Sequence, residues 1–99
     1  MEKHKESVID WELDIKNAIY DLKRIAGCIP LSYKAEDEAC EILYNFNKSK
    51  YNLVDIFKAL MISCKKHNEK VDTKCLRTTV PYSKREIDNI FRKASKNIN

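Results

Sequence analysis

The most apolar stretch of the chain is NLVDIFKALMISCKKH, residues 52–67. Its apolar side chains recur at steps of three and four, which predicts an amphipathic helix. Either Asn52 or Asp55 can cap its start, and the basic residues at its end suit the last carbonyl groups of a helix. The side chains expected to face inward are Ile56, Phe57, Leu60, Met61 and Cys64. We therefore expect this helix to be the central and most buried element of the fold.

Two helices are predicted before this stretch. Apolar residues repeat at helical spacing from about Val8 to Ala26, and Gly27 follows where that helix should stop. After Pro30, Ser32 is placed as the N-cap of a second helix, which should end in the polar segment 47–50. These two helices would pack against the central one.

Two further helices are predicted after it. Asp72 can cap a short helix over residues 73–80, and Pro81 breaks that helix. The segment Ser83-Lys84-Arg85-Glu86 is a capping box, which opens a final helix. The sequence thus predicts an all-α domain of five helices. Its expected core residues are Ile15, Ile19, Leu22, Leu43, Phe46, Phe57, Leu60 and Phe91.

Length and composition narrow the fold class further. The 99 residues, of which 43% are hydrophobic, suffice for one domain spanning residues 1–99. We expect residues 1–7, which are mostly polar, to be flexible. One glycine and two prolines are too few for the frequent turns of an all-β fold or for a glycine-rich phosphate loop.

Cysteine and histidine patterns argue against a catalytic or metal-binding protein. The four cysteines contain no C-x-x-C pair that could hold zinc, and we interpret Cys40 and Cys64 as core residues, with a disulfide as the less favoured alternative. His4 and His67 have no partner at a spacing that indicates a nucleophile pair, and His67 suits the C-terminal end of a helix. We therefore expect no enzyme activity, no catalytic or metal-ligating residue, no cofactor and no small-molecule substrate.

The charge of the chain is concentrated at its end. Residues 70–99 contain eight Lys or Arg and three Asp or Glu, whereas the whole chain has a net charge of +4. Such an asymmetry favours a polyanionic or acidic partner, although an ordinary solvated helix face would look the same. No apolar run is long enough to cross a membrane, so we expect a soluble intracellular protein without a membrane partner.

The last two predicted helices form a helix-turn-helix pattern whose second helix is basic on its outer face. Arginine and lysine suit phosphate oxygens and guanine edges, and an asparagine amide suits adenine, so these residue types favour DNA contact. The candidate DNA-binding residues are Lys74, Arg77, Thr78, Lys84, Arg85, Asn89, Arg92, Lys93 and Lys96.

The order of the segments resembles one cyclin-like core repeat of the transcription factor IIB family, which includes its archaeal counterpart TFB. The stretches that carry the resemblance are AIYDLKRI (18–25), Ile29-Pro30, EDEACEILY (36–44), KALMISCK (58–65), Val71, Leu76, YSKREI (82–87) and Phe91-Arg92. The resemblance covers roughly residues 10–98. It implies a role at promoter DNA, with TATA-binding protein and RNA polymerase as partners and with DNA contacted by the last two helices.

The chain also departs from that family. Members carry a zinc ribbon, a linker and two tandem repeats, whereas this sequence has one repeat, and Asp72 stands where the family often has a basic residue. We therefore expect an accessory, regulatory or viral relative, located in the cytoplasm if archaeal and in the nucleus or a viral factory otherwise.

A second hypothesis keeps the fold but not the DNA. In it, a groove between helices binds a protein partner, and DNA is never contacted. The acidic patch of Glu36, Asp37, Glu38 and Glu41 would supply the binding face, although carboxylates on a helix surface usually serve only solubility.

Overall fold

The computed structural model describes residues 12–70 and 83–96, and within these ranges the chain forms four helices. They are α1 (Ile15–Cys28), α2 (Tyr33–Asn45), α3 (Leu53–Lys66) and α4 (Lys84–Ser95). The described ranges contain no β-strand, only one antiparallel bridge between Leu13 and Tyr51. The prediction of an all-α protein is confirmed. The short helix predicted over 73–80 and the flexible segment predicted over 1–7 lie outside the described residues, so the five-helix, cyclin-like arrangement stays a prediction.

Each described helix begins at a polar cap, because the first N–H groups of a helix lack partners within it. The four caps are Asp14, Ser32, Asn52 and Ser83. Before α3, Asn52 Oδ1 accepts from the backbone N–H of Asp55 at 3.1 Å, and Asp55 Oδ2 accepts from the backbone N–H of Asn52 at 3.0 Å. Of the two caps predicted for this helix, Asn52 is the N-cap and Asp55 is its partner. The predicted caps Ser32 and Ser83 are confirmed.

The first helix begins later than the apolar spacing predicts. Residues 12–14 are not helical. The backbone N–H of Leu13 donates to the carbonyl of Tyr51, and the N–H of Tyr51 donates to the carbonyl of Leu13, both at 2.7 Å. The predicted helix from Val8 is therefore wrong over 12–14, because the backbone of Leu13 pairs with the α2–α3 loop and Asp14 then caps α1.

The helix ends follow the conformation of single residues. Helix α1 continues through Gly27, whose φ is negative, to Cys28, so the predicted stop at Gly27 is wrong. A glycine ends a helix when it adopts the left-handed conformation, which Gly27 does not. Asn47 after α2 and Asn68 after α3 do adopt it, with φ of 54° and 59°. These two asparagines close their helices.

Helix α3 packs against α1, α2 and α4, so it is the central helix, as predicted. It buries residues along most of its length, namely Leu53, Ile56, Phe57, Ala59, Leu60, Ser63 and Cys64. Among the predicted core residues, the buried ones are Leu22, Leu43, Phe57 and Leu60, and the half-buried ones at the edge of the core are Ile15, Ile19, Phe46 and Phe91. The expected core is confirmed, with its outer residues only partly covered.

Two polar contacts join the start of α2 to the end of α3. The carboxylate of Glu69 accepts from the hydroxyl of Ser32 and, at 3.1 Å, from its backbone N–H. Lys66 Nζ donates to Glu38 Oε2 at 2.8 Å. The Ser32 hydroxyl lowers the pKa of Glu69, with help from the Ser32 backbone N–H, and the hydrogen bond from Lys66 lowers the pKa of Glu38.

Candidate nucleic-acid interface

The start of α4 is fixed by the predicted capping box. Ser83 Oγ accepts from the backbone N–H of Glu86 at 3.1 Å, and Glu86 Oε1 accepts from the backbone N–H of Ser83 at 2.9 Å. Both bonds satisfy donors that the first helical turn leaves unpaired. The helix therefore has a defined first residue, and this sets the register of every side chain that follows.

The inner face of α4 is set by its contact with α3. Ile87, Ile90 and Ala94 are buried, and Phe91 is half-buried with its ring centroid 4.9 Å from that of Phe57. Of these four side chains, Phe91 is among the core residues predicted from the sequence. Because they occupy one side of the helix, they also determine which residues point to solvent.

Four polar residues lie on the opposite side of α4. At about 100° per residue, Arg85, Asn89, Arg92 and Lys96 fall within one sector about 60° wide, facing away from the buried side chains. Arg85, Arg92 and Lys96 are exposed, and Asn89 is half-buried. We call these four residues the basic stripe. It extends for about 16 Å along the helix, or about three turns.

The charges of the basic stripe are not neutralised by other described residues. The ion pairs formed within the described ranges join Arg24 to Asp21, Lys48 to Asp55, and Lys66 and His67 to Glu38. None of them involves Arg85, Arg92 or Lys96. With respect to these ranges, the stripe is open to an anionic partner.

Two charged residues flank the stripe. Lys93, a predicted DNA-binding residue, is exposed and lies beside the stripe on the helical projection. Asp88 is also exposed and lies on the other side. Sequence reasoning did not consider Asp88, although the same helical spacing places it there. Its carboxylate would repel phosphate, so it limits the basic surface on that side.

The remaining candidate DNA-binding residues cannot be placed next to the stripe. Lys84 is the first residue of α4, but its side chain is outside the described part of the structure. Lys74, Arg77 and Thr78 also lie outside the described residues. The helix-turn-helix therefore stays a prediction, whereas the outer face of its second helix is observed.

A groove of about 390 Å³ lies between α1 and α2. Ile19 and Lys23 line it from α1, and Asp37, Cys40, Glu41 and Tyr44 line it from α2. Tyr44 is 63% exposed, and Tyr20 and Tyr33 are also exposed elsewhere on α1 and α2.

The acidic patch predicted on α2 is divided in the structure. Asp37 and Glu41 are exposed and line the groove, whereas Glu38 turns toward α3 and binds Lys66. Glu36 is half-buried and does not line the groove. The expectation of one four-residue acidic face is wrong, because these positions point in three directions around the helix.

None of the three described cysteines forms a disulfide. Cys28, Cys40 and Cys64 are free; Cys64 is buried as predicted, and Cys40 is half-buried at the groove. Burial raises the pKa of Cys64 to about 11 and also raises the pKa of Cys40. A thiol must be ionised to act as a nucleophile, so neither residue is activated for catalysis.

His67 lies where the sequence predicts it, at the C-cap of α3. Its Nε2 atom is 3.6 Å from Glu38 Oε1, and Lys65 and Lys66 precede it in the last turn.

Within the described ranges, no three His, Cys, Asp or Glu side chains come together as metal ligands. None of the helices described here is long and apolar enough to cross a membrane.

Comparison of the chain with protein-family models, curated proteins and solved structures finds no match. The resemblance to the transcription factor IIB family is therefore one of sequence motifs alone.

Proposed function

We propose that this chain is a DNA-contacting transcription module, related to one cyclin-like core repeat of the transcription factor IIB family. It acts as an accessory or regulator of initiation, through promoter DNA, TATA-binding protein or RNA polymerase. The observation that supports this proposal is the basic stripe, in which Arg85, Asn89, Arg92 and Lys96 share the solvent face of a capped helix. Its location would be the cytoplasm of an archaeon, or the nucleus or viral factory of another host.

The chemistry of the stripe suits a helix that lies in the major groove. The groove is about 12 Å wide and admits one α-helix, and the stripe extends over about three turns. Arg85 and Arg92 can each bind a phosphate or the O6 and N7 atoms of guanine, and the amide of Asn89 can bind adenine. Lys96 and Lys93 would bind backbone phosphates near the end of the helix.

The proposed fold completes this arrangement. In a cyclin-like repeat, a fifth helix over residues 73–80 would precede α4, and Lys74, Arg77 and Thr78 would add contacts to the same DNA. A single module offers few phosphate contacts, so we expect weak binding alone and tighter binding beside a DNA-bound partner.

The direct test is fluorescence anisotropy of a labelled TATA promoter duplex, with and without TATA-binding protein, at low and near-physiological salt. We expect salt-sensitive binding that tightens when TATA-binding protein is present. The Arg85→Gln/Arg92→Gln variant should weaken binding and reduce the slope of log affinity against log salt by about 2, or about 1 for each lost phosphate contact.

The matched control is Lys16→Gln, which removes one charge from an exposed position on α1. It should leave DNA affinity nearly unchanged. Unaltered binding by the Arg85→Gln/Arg92→Gln variant would refute the proposal, as would the absence of binding under every condition.

The alternative function is a protein-interaction module that does not contact DNA. It is favoured by the groove between α1 and α2, where the exposed Tyr44 and two exposed carboxylates offer a surface for a protein segment. Flat anisotropy traces, together with a protein partner whose capture survives nuclease treatment, would support this alternative.

A further inference from the structure

The groove between α1 and α2 combines an apolar base with an exposed aromatic ring. Ile19 and the thiol of Cys40 are half-buried there, and Tyr44 leaves most of its ring in solvent. Aromatic rings exposed beside an apolar concave surface are typical of binding sites, because their burial by a partner is favourable.

Two carboxylates stand at the edge of this groove. Asp37 and Glu41 are four residues apart on α2, so they are neighbours on one side of the helix. Both are exposed, and neither forms a hydrogen bond or ion pair with another described residue through its side chain. A cation that binds between them would therefore not have to displace an existing partner.

A guanidinium group fits these features better than other charged groups. It is planar, it binds carboxylates through two parallel hydrogen bonds, and it stacks on aromatic faces. A nucleic acid does not fit, because its phosphates would be repelled by Asp37 and Glu41. With Asp37, Glu41 and Lys23 in its lining, the groove has a net charge of −1, which favours a basic protein segment over an acidic one.

We propose that this groove binds an arginine-containing segment of a partner protein. The arginine side chain lies over the Tyr44 ring, with its guanidinium between Asp37 and Glu41, and an adjacent apolar side chain contacts Ile19. This proposal does not depend on DNA binding, because the residues involved belong to α1 and α2, whereas the basic stripe is on α4.

A second copy of this chain fits less well. The arginines of its basic stripe would supply the charge, but α4 turns its apolar residues inward: Ile87, Ile90 and Ala94 are buried. The outer face of α4 thus offers no apolar side chain for Ile19. A partner with arginine beside leucine or another apolar residue satisfies both parts of the groove.

The test uses a short fluorescein-labelled peptide built from arginine, leucine and alanine, and its glutamine-for-arginine counterpart as a control. We expect the arginine peptide to bind and the glutamine peptide not to bind. The Asp37→Asn/Glu41→Gln variant should weaken binding by roughly tenfold, and Tyr44→Ala by roughly fivefold. Asp88→Asn, which removes one exposed carboxylate from α4, should have no effect.

Methyl-labelled isoleucine then locates the peptide by NMR. The Ile19 methyl signals should shift on titration, whereas those of Ile90, on the buried side of α4, should not. Equal peptide binding by the parent protein and the Asp37→Asn/Glu41→Gln variant would overturn the proposal. Shifts confined to Ile90 would do the same. A third outcome would also overturn it: the parent protein self-associates, the Asp37→Asn/Glu41→Gln variant does not, and the peptide fails to bind. The groove would then be occupied by a second copy of the chain.

Discussion

At the scale of single residues, Ser63 is the polar side chain within the buried part of α3. It is fully buried, and its hydroxyl donates to the carbonyl oxygen of Ala35 at 2.5 Å. The bond joins α3 to the first turn of α2. A buried polar group that loses its partner costs about 1–3 kcal/mol.

We therefore expect Ser63→Ala to lower the free energy of unfolding by about 1–2 kcal/mol. Urea denaturation followed by circular dichroism measures this change. The control is Ser95→Ala, because Ser95 is exposed and its hydroxyl bonds only to the carbonyl of Arg92 in the preceding turn. Equal effects of the two substitutions would show that the Ser63 hydrogen bond stabilises the fold no more than the Ser95 hydrogen bond does.

A second prediction at this scale concerns acid. The folded-state pKa values of Glu38 and Glu69 lie below the usual 4.5, because Lys66 and Ser32 donate hydrogen bonds to the ionised carboxylates. Their contribution to stability is therefore complete above the unfolded-state pKa and is lost as pH falls through the folded-state values. Between about pH 6 and about pH 3, the Glu38→Gln/Glu69→Gln variant should lose less stability than the parent protein.

Urea midpoints measured across this pH range test the acid prediction. The control is Glu41→Gln. The Glu41 carboxylate forms no hydrogen bond with the described residues, so this variant should lose as much stability as the parent protein when the pH falls. An unchanged pH dependence in the Glu38→Gln/Glu69→Gln variant would contradict the linkage between these two carboxylates and folding.

At the scale of helices, α4 packs mainly against α3, and its capping box fixes the first turn. Ser83→Ala removes the hydroxyl that accepts from the Glu86 N–H and should destabilise the helix by about 1 kcal/mol. Amide hydrogen exchange should then be about fivefold faster in α4 than in the parent, with little change in α3. Uniform acceleration in both helices would instead mean that α4 opens only with the whole domain.

Helix positions were predictable where the signal is local. The caps Ser32, Asn52 and Ser83 act within three residues of themselves, so their sequence context suffices. The start of α1 was not predictable, because Leu13 pairs with Tyr51, which is far away along the chain. No helical periodicity contains that information.

The candidate site shows the same difference between features set by local sequence and features set by contacts between helices. The basic stripe follows from the spacing of residues on one helix, so the sequence predicted its members. The groove needs two helices at a defined separation, and sequence reasoning did not find its lining residues as a set. It also grouped Glu38 with Asp37 and Glu41, although Glu38 is drawn to Lys66 on α3.

At the scale of the whole molecule, the two candidate binding surfaces lie on different helices. The basic stripe is on α4, which packs against α3, whereas the exposed carboxylates Asp37 and Glu41 border the groove between α1 and α2. Salt screens charges separated by more than about 8 Å at about 0.15 M ionic strength and by about 30 Å at about 0.01 M. The two surfaces should therefore influence each other only in dilute salt.

This separation predicts how the Asp37→Asn/Glu41→Gln variant binds DNA in the proposed function. Near 0.15 M salt, where the Debye length is about 8 Å, anisotropy should give this variant the same DNA affinity as the parent protein. Near 0.01 M salt the variant should bind more tightly, because the carboxylates of the parent protein then repel phosphate. Lys16→Gln, which lowers the net charge instead, should bind slightly less tightly in dilute salt. Weaker DNA binding by the carboxylate variant would mean that the groove itself contacts DNA.

The orientation of α4 about its own axis, which decides which of its residues are buried, has an evolutionary consequence. Because its buried residues all lie on one side, the positions of Arg85, Arg92 and Lys96 can change without disturbing the core. Mutations there would be filtered by recognition alone, while the inner side would be held by folding. The helix can thus acquire new ligand preferences through successive folded intermediates, and a library randomised at these three positions should consist largely of folded proteins.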